Sequence, residues 1–283
     1  MMKSRRQMAR LTIAVLFTVP IWPTQSHACT LFAAAGEKVK GGGVLIAKNR
    51  DWRPDNSQSL KLVSPKTGYR YFGLFAEGND EPGLKAGINN KGLVVVSATA
   101  SIPKAAREAM PRTKNLLGKL LTCCTTVDEA LQHKEWFQGP RYLLLADRGK
   151  AASIEIGPAG KYQVAVTDRS VLYHTNHYVT PALQDQNPNR IGQSSLERYR
   201  RIEDLLRQAR QFDLEDFIRI SEDRFGGPDN SLWRVGSTPT KTQTLAAWIV
   251  YLPPDREPQL YVKIANPGQT PTVQRLTFTA VFH

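Results

Sequence analysis

Short apolar runs separated by polar turns open the main body of the chain. Residues 30–35 and 44–47 are two such runs, and the segment between them is rich in glycine and lysine. This alternation predicts a β-hairpin, with Cys29 at the first position of its first strand. Farther along, residues 87–92 predict a tight turn, and the nearly continuous apolar run at 93–99 predicts a buried strand.

Helical spacing of apolar side chains replaces this pattern in two regions. Residues 113–121 have such spacing, and Thr126 and Glu129 fit the capping pattern that is typical of the start of a further helix. Residues 194–209 place their apolar side chains on one face, which predicts an amphipathic helix. A second, short helix is predicted over residues 214–220.

Most of the remaining chain consists of short β-rich runs or of loops. The runs cover residues 142–146, 152–156, 162–166, 171–174, 245–252, 260–264 and 276–281. Residues 53–86 and 100–112 are interpreted as loops. This segregated order of strands and helices favours antiparallel sheets covered by helices over alternating βαβ units. No linker, repeat or long charge block divides residues 29–283, so one α+β domain is predicted.

The first 28 residues differ from the rest of the chain. Four lysines and arginines lie within the first ten residues, and an apolar run follows at 11–22. Ser26 and Ala28 fit the positions that signal peptidase requires, and the apolar run is well below the roughly 20 residues that cross a bilayer. We therefore predict a signal peptide over residues 1–28 and an exported protein, periplasmic or secreted, that begins at Cys29. Lipidation and a twin-arginine export route stay open.

Charge narrows the classes of partner. The 38 lysines and arginines exceed the 25 acidic residues, for a net charge of +13. Without the four basic leader residues the excess is still +9, which fits an anionic envelope surface or an acidic ligand. The chain has neither an RNP-like aromatic stripe nor zinc-finger spacing, so no nucleic-acid partner is predicted.

The three cysteines have two different settings. An exported disulfide scaffold has an even number of cysteines spread along the chain, whereas Cys123 and Cys124 are neighbours at a predicted helix end and are interpreted as packing residues. Cys29 would become N-terminal after cleavage. Its amine, with an unperturbed pKa of about 8, is then a base that can activate the thiol of the same residue. The alternative is that cleavage falls before a buried cysteine with no chemical role.

The segment after the hairpin supplies a partner for that amine. Residues 48–52, Lys-Asn-Arg-Asp-Trp, directly follow the predicted return strand. A paired hairpin brings its far end back beside Cys29, so Asp51 is a candidate to hold the amine through a charge-assisted hydrogen bond. The alternative is a polar strand end with a surface ion pair, which would contribute little.

Five segments in one order carry a family resemblance. They are Cys29-Thr30, residues 48–52, residues 87–93, residues 172–178 with Thr175-Asn176-His177, and residues 194–201 with Arg198. Together they resemble the cysteine N-terminal nucleophile (Ntn) hydrolases. The relevant branch holds choloylglycine hydrolases, penicillin V acylases and isopenicillin N acyltransferase-like proteins, which act on linear amide C–N bonds. The chain around residues 244–248 and 260–262 resembles the C-terminal strands of that branch.

The resemblance implies a fold and a set of roles. The fold would be a four-layer αββα sandwich, with two mainly antiparallel sheets between helices. Cys29 would be the nucleophile and Asp51 the partner of its α-amine. Asn176 would contact the oxyanion and the substrate, and Arg198 would position the active site. Read without the family, Asn176 is a turn residue and Arg198 is one charge on a solvated helix face.

Two departures from the family pattern affect the expected substrate. Bile salt hydrolases have arginine where this chain has Lys48, and lysine cannot make the planar bidentate contacts of arginine. They also have asparagine at the position of Thr99. The secondary candidates for substrate or oxyanion contacts are therefore Lys48, Thr99 and Trp52. Bile salts are not expected as substrates. Trp52 is interpreted as packing beside the site.

Metal and cofactor sites are not predicted. His174 and His177 are spaced i, i+3 at a strand end without an evident third ligand, so they are interpreted as structural hydrogen-bonding residues. Gly41, Gly42 and Gly43 lack the following helix and lysine of a phosphate loop.

The expected protein is an exported, cofactor-free amidohydrolase or acylase. It would cleave a linear amide bond of a small molecule through a thioester on Cys29, with no stable membrane insertion after leader removal. One alternative is an acyltransferase that passes the acyl group to an amine. Another is a periplasmic binding protein of the same fold without turnover. Homo-oligomerisation stays open.

Overall fold

The computed structural model describes residues 28–78 and 81–283, so the predicted leader lies outside the described residues except for Ala28. Thirteen strands occur in this part of the chain. They are β1 Cys29–Ala35, β2 Val44–Trp52, β3 Ser57–Val63, β4 Tyr71–Glu77, β5 Gly83–Asn89, β6 Val94–Thr99, β7 Arg141–Ala146, β8 Ala151–Ile156, β9 Tyr162–Thr167, β10 Val171–His174, β11 Gln243–Leu252, β12 Gln259–Ile264 and β13 Thr272–Thr277.

Seven α-helices accompany these strands in the described residues. They are α1 Lys104–Glu108, α2 Leu116–Cys123, α3 Val127–Gln132, α4 Gln193–Gln208, α5 Leu214–Ser221, α6 Gly227–Asn230 and α7 Phe278–Phe282. None of the helices in this part of the chain has the length and apolar character needed to cross a membrane.

The strands form two sheets in which neighbouring strands pair antiparallel. One has six strands in the order β10-β1-β2-β11-β12-β13, and the other has seven in the order β3 to β9. Strands β1 and β2 form the predicted hairpin. Gly43 closes its turn with φ of 78°, and a Cβ there would lie 2.1 Å from the Leu252 carbonyl oxygen, so only glycine fits.

Three apolar clusters separate four layers. The central cluster lies between the sheets and includes Leu31 and Ile46 from one sheet and Val96 from the other. A second cluster packs the outer face of the six-stranded sheet against α4 and α5, for example through Phe32, and a third packs the outer face of the seven-stranded sheet against α2 and α3, for example through Leu120. The predicted αββα sandwich is confirmed.

The loop interpretation of residues 53–86 is wrong. This segment contains β3, β4 and the start of β5, which form one edge of the seven-stranded sheet. Gln58 is the only buried residue of β3, so neither face of this strand is fully buried. Its sequence therefore lacks the sustained apolar alternation that would predict a strand. Likewise, residues 100–112 include the short helix α1.

The C-terminal strand lies earlier than expected. Residues 276–281 were predicted as β, but β13 ends at Thr277 and α7 begins at Phe278. The hydroxyl of Thr277 caps this helix by accepting a hydrogen bond from the Ala280 nitrogen, at 3.3 Å. Strand β13 is an exposed edge strand, so its apolar pattern is weak. Cys123 and Cys124 lie at the end of α2 as predicted, and both are free thiols. Cys124 packs in the third cluster, whereas Cys123 is exposed, so the packing interpretation holds for Cys124 and is wrong for Cys123.

Candidate active site

The Cys29 thiol lies buried at the start of β1, between the two sheets. Cys29 is paired across the hairpin with Arg50, and Lys48 lies two positions away on the same face of β2. The Lys48 Nζ is 3.5 Å from Cys29 Sγ and also donates to the Ser97 carbonyl oxygen on β6. Arg50 hydrogen-bonds the same sulfur. Two cationic side chains therefore contact one thiol.

These cations change the acidity of the thiol. Burial by itself would raise the pKa of Cys29. The charges of Lys48 and Arg50, together with a hydrogen bond from the Asp51 backbone, outweigh this effect and hold the pKa below the ordinary value of a cysteine. A lowered pKa favours the thiolate, which is the nucleophilic form.

The Cys29 nitrogen contacts Asn176 while it is an amide, whereas the predicted contact with Asp51 is that of the amine which cleavage would release. With Ala28 attached, this nitrogen donates to Asn176 Oδ1 at 2.9 Å. Asn176 lies just beyond β10, the other neighbour of β1, so the N–H points away from β2. The Nδ2 of Asn176 donates to the Thr99 carbonyl oxygen at 2.7 Å. Both ends of this amide are thus engaged, and its Nδ2 would have to leave Thr99 to contact an oxyanion.

Arg198 holds the same region from helix α4. It is completely buried, and its Nη1 donates to the Cys29 carbonyl oxygen at 2.6 Å and to Thr30 Oγ1 at 2.8 Å. Its Nη2 donates to Asn176 Oδ1 at 3.0 Å. Burial lowers the pKa of Arg198 to about 10, although the nearby Asp51 carboxylate acts in the opposite direction. The guanidinium thus links the Cys29 carbonyl to the Asn176 side chain, which accepts the hydrogen bond from the Cys29 nitrogen. These contacts suit a residue that positions the site.

Asp51 lies on the opposite face of β2 from Lys48 and Arg50. Its Oδ1 accepts a hydrogen bond from Thr244 Oγ1 at 2.8 Å, and its Oδ2 is 4.0 Å from the Arg234 Nη1. Burial raises the pKa of the carboxyl, whereas the charges of Arg198 and Arg234 and the Thr244 hydrogen bond counteract this. Hairpin pairing brings Asp51 close to Cys29, but the Cys29 nitrogen donates its hydrogen bond to Asn176 Oδ1.

The secondary candidates surround the thiol in different ways. Thr99 contributes its backbone oxygen to Asn176 and lines the cavity in front of Cys29. Trp52 is buried beneath the Arg50 guanidinium, with Arg50 Cζ 3.9 Å from the ring centroid. It therefore packs against a residue that contacts the thiol, which agrees with the packing interpretation.

His174, the last residue of β10, and His177, three residues later, take part in buried hydrogen bonds. His174 Nε2 lies 2.7 Å from Glu155 Oε1, and the ring stacks on Tyr142. His177 Nδ1 lies 2.9 Å from Ser195 Oγ. Within residues 28–78 and 81–283, no three His, Cys, Asp or Glu side chains are grouped closely enough to hold a metal ion.

A cavity of about 550 Å³ opens in front of the thiol. Its walls come from Cys29, Lys48 and Arg50, from strands β5 and β6, and from the segment that contains α1 and the start of α2. This volume suits a small-molecule substrate. The cavity joins the predicted nucleophile to residues 81–85 and 104–112, which lie in the two segments interpreted as loops.

Sequence reasoning missed four residues near the site. Arg50 belongs to the motif at residues 48–52, but the sequence analysis gives it no role. The two-residue period of β2 nevertheless places it on the same face as Lys48. Thr244 appeared only within a C-terminal strand. No local pattern singled out Arg234 or Lys85, because the segments that carry them meet the site only through tertiary packing.

The chain is similar to known proteins in sequence and in fold. A family model described as acyl-coenzyme A:6-aminopenicillanic acid acyl-transferase matches residues 39–269, which is more than half of the 283 residues. None of the curated proteins matches this chain.

Solved structures share the architecture. A mutant conjugated bile acid hydrolase from Clostridium perfringens matches with a TM-score of 0.57 and 15% identity, over 89% of this chain and 92% of that chain. A Caenorhabditis elegans ortholog of N-acylethanolamine-hydrolyzing acid amidase matches with a TM-score of 0.53 and 13% identity, over 80% of this chain and 93% of that chain. At these identities the similarity establishes the fold. With the αββα sandwich of the Ntn hydrolases and a family match across most of its length, the chain belongs to the acyl-coenzyme A:6-aminopenicillanic acid acyl-transferase family.

Proposed function

We propose that this protein is an exported amidase that cleaves a linear amide C–N bond through a thioester on Cys29. The surroundings of the Cys29 thiol carry the proposal. The Cys29 thiol faces a cavity of substrate size, has a lowered pKa, and belongs to a residue whose own nitrogen is held by Asn176. A thiol, its activating cations and a held nitrogen are the parts that an N-terminal cysteine nucleophile requires.

The first half of the reaction forms the thioester. Release of Ala28 converts the Cys29 nitrogen from an amide into an amine, which can accept the thiol proton. The sulfur attacks the substrate carbonyl carbon, and the carbonyl oxygen becomes an oxyanion. When the C–N bond breaks, the amine product leaves with the proton from the α-ammonium group.

The second half returns the enzyme to its starting state. A water molecule gives a proton to the α-amine and attacks the thioester carbon. The C–S bond then breaks, the acid product leaves, and the sulfur is free for another cycle. Asn176 and Arg198 keep the nitrogen and the Cys29 carbonyl in place through both halves.

The oxyanion has two cationic candidates beside the thiol. Lys48 and Arg50 both contact the sulfur, so the oxygen of a carbonyl attacked by that sulfur would develop its charge near them. We assign the oxyanion to these side chains in place of Asn176, because the Nδ2 of Asn176 is engaged by Thr99.

The decisive test uses exported protein with a verified N-terminus. We expect its intact mass to correspond to a chain that begins at Cys29, and we expect turnover within a panel of phenoxyacetyl, fatty-acyl, bile-acid and N-acyl-amino-acid amides. Mass spectrometry of quenched reactions should place an acyl adduct on Cys29, and Cys29→Ala should form none. A mature start two or more residues earlier would contradict the mechanism.

A variant that retains one alanine ahead of Cys29 tests the amine separately from the thiol. The added residue turns the amine into an amide, which is not a useful base, so activity should fall by at least about 10²-fold in a folded protein. Full activity with the retained residue confirmed by mass would exclude an N-terminal nucleophile.

Acyl transfer is the second candidate, favoured by the family to which the chain belongs. It shares every step as far as the thioester, and an amine then replaces water. Adding amine acceptors and measuring the ratio of new amide to free acid separates the two outcomes.

A further inference from the structure

The cavity in front of Cys29 is strongly cationic. The described residues that line it include eight lysines and arginines but only two glutamates, a formal excess of six positive charges. Glu81 pairs with Arg107 at 2.6 Å, and Glu108 lies 3.8 Å from Lys104. The Glu81 charge also acts on Arg50, Lys85 and Arg141, so two glutamates serve a lining with eight cationic side chains.

Two of these cations are buried and have side-chain nitrogen atoms without a hydrogen-bond partner. The Nε and Nη2 of Arg50 and the Nη2 of Arg107 have no partner in the described part of the chain. Arg50 is 1% exposed and Arg107 is 9% exposed, and both line the cavity. A buried donor without an acceptor is costly, so a ligand that supplies acceptors here would be stabilised.

Mutual repulsion among the cations points in the same direction. Burial, and then the charge of Arg50, lower the pKa of Lys85 to about 7. Burial, and then the charge of Arg112, lower the pKa of Arg141. Positive charges that depress each other's pKa bind an anion favourably, because the anion relieves the repulsion.

We propose that the substrate half that fills this cavity carries at least two anionic groups, as in a dicarboxylate, which Arg50, Lys85, Arg107, Arg112 and Arg141 bind. This inference deepens the proposed function and rests on it. Arginine forks bind carboxylates in a bidentate manner, and the cavity lining contains four arginines, which the proposed site combines with Lys85. A neutral acyl chain would leave the buried donors unsatisfied.

Two matched series of amides test this specificity. Anilides of butanoic, glutaric and tricarballylic acid place zero, one and two free carboxylates on the acyl half. N-Butanoyl derivatives of glycinamide, glycine and aspartate do the same on the amine half. Each charge-assisted contact changes affinity by about 10-fold to 100-fold, so in one series kcat/KM should rise by about 100-fold or more from zero to two carboxylates. This preference should shrink as salt is raised, because screening weakens charge pairing.

Variants locate the effect. Arg112→Gln and Arg141→Gln should each lower the ratio of dianionic to neutral kcat/KM by about 10-fold. The matched control is Arg210→Gln, which removes an exposed arginine outside the cavity lining and should leave the ratio unchanged. Equal kcat/KM across both series, or equal ratios in all three variants, would overturn the proposal.

A binding measurement separates this inference from the proposed function. Calorimetric titration of tricarballylate into Cys29→Ala needs no turnover, and we expect binding that Arg112→Gln weakens and Arg210→Gln does not. If no amide is turned over but this binding is found, the amidase proposal fails while the anion site stands. Turnover of neutral amides without tricarballylate binding would overturn the anion site and leave the amidase proposal intact.

Discussion

Replacing Lys48 by methionine should raise the pKa of the Cys29 thiol. Methionine keeps much of the length of the lysine side chain but removes its charge from a position 3.5 Å from the sulfur. The Lys48 charge is the largest of the effects that lower this pKa, so its loss leaves burial opposed mainly by Arg50. The thiolate should then form only at higher pH.

The size of the change follows from the distance. Two unit charges 3.5 Å apart attract by about 5 kcal/mol at an effective dielectric constant of about 20, which corresponds to about 3.5 pKa units. Burial also lowers the pKa of Lys48 itself, so the amine carries less than a full charge near the upper end of the titration. We therefore expect the thiol pKa to rise by about one to three units.

The rate of alkylation by iodoacetamide, measured against pH, reports this pKa because the thiolate is the reacting form. Protein that begins at Cys29 should carry Cys123→Ser, since Cys123 is exposed, whereas burial raises the pKa of Cys124 to about 12. Lys66→Met removes an exposed lysine as the matched control. Peptide mapping assigns the label to Cys29.

The reasoning would be refuted if Lys48→Met and Lys66→Met gave the same midpoint. Lys48→Arg adds a second check, because it keeps the charge while changing the shape of the side chain. Its midpoint should lie closer to that of the unsubstituted protein than to that of Lys48→Met.

Three further changes test other parts of the site. Asp51→Asn removes the buried counter-charge of Arg198, which holds the Cys29 carbonyl and Asn176, so kcat should fall by at least about tenfold, and near-normal turnover would contradict a role for this carboxylate. Arg198→Lys cannot reproduce the three-way contact of the guanidinium, so the free energy of unfolding measured with urea should fall by about 3 kcal/mol, and an unchanged midpoint would count against this anchor. Burial, followed by nearby positive charge, lowers the pKa of His177 to about 4, so on acidification from about pH 6.5 to 4 the unfolded chain takes up a proton that the folded protein does not. His177→Gln should therefore reduce the loss of Tm over that pH range, whereas His133→Gln at the surface should not. The same dependence of Tm on pH in the two variants would contradict the assignment.

Local pattern was enough to predict the frame that carries Cys29. The alternation around the first hairpin, the apolar run of β6 and the helical period of α4 are each contained in fewer than about 20 consecutive residues, where backbone periodicity dominates. The αββα layering agreed with the segregated order of elements and with the family resemblance. Prediction failed in β3 and β13, because edge strands with exposed faces lack the apolar alternation that marks a strand.

The sequence predicted which residues form the site more readily than it predicted the contacts between them. Cys29, Lys48, Asn176 and Arg198 were all candidates, and the structure brings them into contact. Hairpin pairing determined which residues of β2 lie beside Cys29. It could not determine the partner of the Cys29 nitrogen, because that N–H points towards the other neighbouring strand, β10. The acceptor, Asn176, lies just beyond β10 and is 147 residues away in the sequence.

Only the tertiary structure decided the charge of the cavity. Its cations come from segments far apart in the chain, including β2, β5, α1 and β7, and apart from Lys48 each of them alone has the sequence setting of an ordinary surface charge. Packing the two sheets face to face buries some of these side chains together, and burial turns scattered charges into a site that favours an anion. The sequence by itself determined the candidate nucleophile and the strand that presents it, whereas long-range packing determined what surrounds Cys29, since contacts between distant segments leave no local pattern.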